Sequence, residues 1–89
     1  MCTMITERAH ISLGRGKSGP GWFVVDEANV SYDHPFHAPV EHALNIDFVN
    51  EAEGPGARVA VELTADSARR LVDAILVALD RGMEAERRA

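Results

Sequence analysis

The chain is 89 residues long, 46% hydrophobic and 26% charged, with a formal net charge of −5 and a single cysteine. That length accommodates one core and no second domain, and the composition lies far from the low-hydrophobicity, high-charge corner where chains stay disordered. The acidic balance repels phosphate backbones and anionic lipid, which argues against nucleic acid and membranes as partners.

Thr3 to Leu13 alternates, with Ile5, Ala9, Ile11 and Leu13 on one side and Thr6, Arg8, His10 and Ser12 on the other, the period of a half-buried strand. Gly14 to Gly21 holds four glycines and a proline, so a loop or wide hairpin is expected there. Its Gly16-Lys17-Ser18 resembles a fragment of a phosphate-binding loop. That motif needs glycine where Ile11 stands and a helix where Pro20 and Gly21 follow, so the reading fails. Trp22 to Val25 and Glu27 to Asp33 read as extended, broken near Asp26, with Ala28, Val30 and Tyr32 opposite Asn29, Ser31 and Asp33. Pro35 and Pro39 then hold His34 to Pro39 in a loop.

Ala43 to Asn50 alternates again, placing His42, Leu44, Ile46 and Phe48 on one face and Asn45 and Asp47 on the other. Glu53-Gly54-Pro55-Gly56 turns the chain into a strand from Arg58 to Leu63, with Val59, Val61 and Leu63 inward. Thr64 suits a helix N-cap, and Ala68, Leu71, Val72, Ile75, Leu76 and Leu79 recur at helical spacing, so an amphipathic helix should cover the sheet. Gly82 marks a C-terminal cap, leaving 83–89 as a frayed tail. The expected fold is α+β: one domain over 1–89, with an antiparallel sheet of about four strands packed against one C-terminal helix.

His34, His37 and His42 form H-x2-H-x4-H, preceded by Asp33 and containing Glu41, the densest set of ligand-type side chains in the chain. Imidazole nitrogens suit zinc and similar divalent transition metals, and a loop feeding a strand can aim three of them at one centre. Asp33, Cys2, His10 or Glu41 would complete the set, and Glu41 could otherwise act as general base beside a metal-bound water. His42, at the start of a strand on its apolar face, is expected to be partly buried and therefore partnered. The alternative is that the same histidines orient a ligand in a metal-free pocket, cap loop carbonyls, or stack on Phe36 or Tyr32. Asn29, Ser31, Asn45 and Asp47 share the polar sheet face, which is either solvated surface or a second pocket.

Met1-Cys2-Thr3, Gly21-Trp22-Phe23, and Tyr32-Asp33-His34-Pro35-Phe36-His37-Ala38-Pro39 running into Glu41-His42-Ala43-Leu44-Asn45-Ile46-Asp47-Phe48 resemble a family of small uncharacterised actinobacterial proteins. The similarity spans nearly the whole chain and implies a bacterial cytosolic origin, with no activity or catalytic residue attached. The N-terminus lacks the basic-then-apolar pattern of a signal peptide, and Cys2 has no partner cysteine, so a cytoplasmic, reducing setting is expected.

Two functional expectations stand side by side. One is a small metal-binding protein, or metalloenzyme acting on a small metabolite, built on the histidine cluster. The other is a metal-free small-molecule-binding module or a homodimeric interaction protein, since one short helix covers only part of a four-strand sheet.

Overall fold

The computed structural model describes residues 5–88, which form β1 (Ile5–Ser18), β2 (Gly21–Asp33), β3 (Ala43–Val49), β4 (Arg58–Leu63) and α1 (Ala65–Arg88), with a 3-10 turn at Glu51–Glu53. The strands pair antiparallel in the order β1-β2-β3-β4, a four-stranded meander followed by one helix, the α+β arrangement that the alternation implies.

Where a loop or wide hairpin was expected there is a tight hairpin: β1 runs on to Ser18 and the turn shrinks to Gly19 and Pro20, with Ser18 opposite Gly21. The glycines are there for close approach. Gly14 and Gly16 lie opposite Val25 and Phe23, and a Cβ on Gly14 would stand 2.5 Å from Ile11 Cγ2. Gly21, at φ +136°, closes the turn in a conformation that side chains disfavour. β2 is likewise continuous through Asp26, and the irregularity lies in β1 instead, where the register shifts between His10 and Gly14. That bulge turns Leu13 out to 99% exposure, against its expected inward position.

Same-face partners follow from the register. Tyr32, Leu44 and Leu63 align across one apolar row, as do Val30, Ile46 and Val61, and then Ala28, Phe48 and Val59. The enclosed core is small: Phe23, Val25 and Ala57, with Ile11, Phe48 and Val59 packed against them. Burying an aromatic or a branched aliphatic side chain contributes about 1.5–3 kcal/mol each, so Phe23 and Val25 dominate it.

The helix starts as its sequence indicates, with Thr64 Oγ1 accepting the Ser67 N–H at 3.2 Å. It continues through Gly82 to Arg88, where Glu84 pairs with Arg87 and Arg88 at 3.1 Å each, so the expected cap and frayed tail are helical. Among its residues only Ala68 is buried. The helix meets β3 and β4 only sparsely, and its apolar stripe from Leu71 to Met83 stays exposed instead of covering the sheet. Among the described residues no helix is long and apolar enough to cross a membrane.

Candidate functional site

The polar sheet face is built from rows that the register lines up. Thr6, Ser31, Asn45 and Glu62 form one row across all four strands, and Arg8, Asn29, Asp47 and Ala60 form the next. Side chains directly opposite on one face stand roughly 4.5–5.5 Å apart at Cβ, so these groups are neighbours. Arg58 reaches Asp47 Oδ1 through Nη2 at 2.7 Å and Nε at 3.1 Å.

The β2–β3 loop, 34–42, folds over one end of this face because Glu62 holds it there. The Glu62 carboxylate accepts the backbone N–H of Phe36 at 2.6 Å on Oε2, and those of His37 and Ala38 at 2.9 Å each on Oε1. Three consecutive N–H groups aimed at one anion make a concave backbone nest. The Phe36 N–H foremost, then those of Ala38 and His37 and the His37 charge, hold the Glu62 carboxyl below its usual range against a desolvation that raises it.

Loop and sheet together enclose an open groove of 980 Å³ lined by Thr6, Asn29, Ser31, Asn45, Asp47 and Arg58 from the sheet and by Asp33, His34, Phe36 and His37 from the loop side. A shallower depression of 380 Å³ shares Asn29, Asp47 and Arg58 and extends it toward the Glu51–Glu53 turn. Two amides that line the groove stand out. Asn29 Oδ1 and Asn45 Oδ1 are enclosed and have no hydrogen-bond partner, and Asn45 Nδ2 makes only a long 3.4 Å contact to the Ala43 carbonyl. An acceptor buried without a partner costs about 1–3 kcal/mol, a cost that a donor supplied at these amides would offset.

The histidine cluster is arranged otherwise than the spacing suggested. His34 Nδ1 lies 2.8 Å from the Glu41 carbonyl, which can only accept, so the imidazole carries its proton there and leaves Nε2 as the acceptor. His34 stacks on His42 with ring centroids 5.1 Å apart, and His42 stacks on Tyr32 at 5.8 Å. His42 precedes β3 and is exposed, not partly buried, because the strand begins one residue later at Ala43. Asp33 Oδ1 accepts the His34 N–H at 2.8 Å. Asp33, His34 and His37 line the groove, whereas His42 and Glu41 do not, and Glu41 contributes through its carbonyl. Cys2 lies outside the described residues. Among the described residues no group of three or more His, Cys, Asp or Glu side chains is placed to hold a metal ion.

The residue that organises the groove, Glu62, carries no local mark in the sequence beyond its place on the polar side of β4. Its partners lie 24 to 26 residues away. Alternation does bring Asn29, Ser31, Asn45 and Asp47 together.

Fold and groove define a class: a four-stranded antiparallel meander with a C-terminal helix, carrying a polar cleft on the sheet face beneath a strapped loop. The chain belongs to DUF6295, a family of unknown function, whose pattern matches residues 1–89. No curated protein and no solved structure matches it.

Proposed function

We propose that the protein is a metal-free binding module whose polar groove takes a compact organic ligand rich in N–H donors, neutral or cationic. The observation that carries this reading is the pair of unpartnered acceptors Asn29 Oδ1 and Asn45 Oδ1, on two amides whose residues line the groove. Terminal amide torsions are soft, so a small rotation turns either oxygen toward a bound donor. Charge agrees with this. The lining carries Asp33, Asp47 and Glu62; the Arg58–Asp47 pair cancels, and Glu62 and Asp33 are left beside the imidazoles of His34 and His37. Amides, primary amines and guanidinium groups fit such a lining, while carboxylates and phosphates meet a surplus of negative charge. The volume falls at the upper end of the range for small-molecule clefts, about 300–1,000 Å³. A thermal-shift panel of neutral amides, alkylamines, guanidinium compounds and carboxylates tests it. Stabilisation by the first three classes and not the last supports the reading, and a response confined to carboxylates overturns it.

A second reading keeps the histidines as metal ligands, and one contact favours it. Metal-bound imidazoles commonly donate their other ring N–H to a carbonyl, as His34 Nδ1 does to Glu41, leaving Nε2 free to ligate. On this reading His37, His42 and Asp33 move toward His34 Nε2 as a divalent ion binds, with Cys2 as a further donor and Glu41 as base. Stoichiometric zinc uptake that His34→Ala abolishes is its signature.

A further inference from the structure

We propose that α1 is the dimerisation element of this protein, its apolar stripe buried against a second copy of the same chain. The stripe consists of Leu71, Val72, Ile75, Leu76, Leu79 and Met83, spaced so that all six fall on one side of the helix, and their exposure runs from 42% at Leu71 to 61% at Met83. Twenty-four helical residues extend roughly 36 Å, and Ala68 near the start is the one buried among them.

The exposed area is large enough for a second copy. The chain exposes 7054 Å², whereas a folded monomer of its 9.7 kDa mass exposes about 5,100 Å². The surplus, near 1,900 Å², exceeds the ~800 Å² per partner of a standard interface and falls within the range of obligate homodimers. The radius of gyration, 15.2 Å, likewise exceeds the ~12 Å expected for this length. Among the described residues no large side chain is fully buried, which is the condition of a fold completed by association.

Charge selects where two copies meet. The helix carries five acidic and five basic side chains and is neutral, while the remainder of the chain carries the whole net charge of −5. Two identical acidic bodies repel each other except along this neutral helix, where nothing opposes contact between the stripes. An anionic lipid surface would meet the same repulsion from the sheet.

Sedimentation equilibrium of the full chain across a wide concentration range, with hydrogen exchange on the same samples, tests the assignment. The expected result is a mass of two chains, with exchange protection of 71–83 rising in step with the dimer fraction. Ile75→Asp combined with Leu79→Asp should give one-chain mass with the β-sheet circular dichroism retained. A wild-type mass of one chain at every concentration overturns the proposal. So does a dimer whose protection leaves 71–83 freely exchanging, a result that needs no variant to fold. Uptake of monomeric chain by phosphatidylcholine vesicles would overturn it in favour of a lipid surface.

Discussion

Glu62 and His37 are 25 residues apart in the chain, yet the carboxylate of the first accepts the backbone N–H of the second at 2.9 Å. With the flanking N–H groups of Phe36 and Ala38 on the same carboxylate, this contact turns a proline-rich connection into a wall of the groove. Replacing Glu62 by Gln removes the charge and one of the acceptor atoms. The amides of Phe36, His37 and Ala38 should then exchange faster, while those of β3 keep their protection, which peptide-resolved hydrogen exchange reads directly.

The same contact sets a pH dependence. The folded-state pKa of Glu62 is depressed, so its contribution is present above the ordinary glutamate value and is lost as pH falls through the lower folded value. Loop protection in the wild type should therefore collapse on acidification below the ordinary glutamate range. In Glu62→Gln it should be low and flat through that range. Exchange or loop-reporting NMR shifts measured along an acid titration of both proteins check the sign.

Crowding by Ile11 across the β1 bulge gives a sharp contrast between two glycines. An alanine at Gly14 places its Cβ 2.5 Å from Ile11 Cγ2 and 3.4 Å from the Val25 carbonyl, an overpacking that should cost about 1–3 kcal/mol. At Gly19 a Cβ meets nothing within 4 Å, and the substitution should stay within about 0.5 kcal/mol. Urea unfolding of the two variants measures both.

The core and the cap supply a further pair. Phe23→Ala removes the largest buried side chain and should cost about 3–5 kcal/mol, whereas Trp22→Ala next to it, exposed, should be near neutral. Thr64→Ala loses the bond to the Ser67 N–H and should cost about 1 kcal/mol, read as a shift in melting temperature.

Much of this fold is legible in alternation. Ala28, Val30 and Tyr32 against Asn29, Ser31 and Asp33 are assigned to their observed faces by period alone, and the pairing of β3 with β4 follows from the turn between them. What misled was glycine. Gly14 and Gly16 read as loop residues because their lack of a side chain signals freedom, and only Ile11 at Gly14 and Val25 and Phe23 at Gly16 reveal that space is the reason. The helix stripe reads as sheet cover because periodicity says that a face is apolar without saying what meets it. His34, His37 and His42 are adjacent in sequence, but contact order within a loop does not set ring orientation, and two of them stack. The partnership of Glu62 with that loop is long-range and has no local signature.

Side-chain amide chemical shifts most directly test whether the groove is a binding site. Titrating 15N-labelled protein with a guanidinium compound, and in parallel with acetate, should produce saturable shifts in the NH2 resonances of Asn29 and Asn45 and in the Ser31 amide for the first and none for the second. Asn45→Ala should weaken the response without changing the fold. Absence of saturable shifts at these residues with amides, amines and guanidinium alike, or equal shifts with acetate, would contradict a donor-seeking groove and return the search to the metal reading of His34.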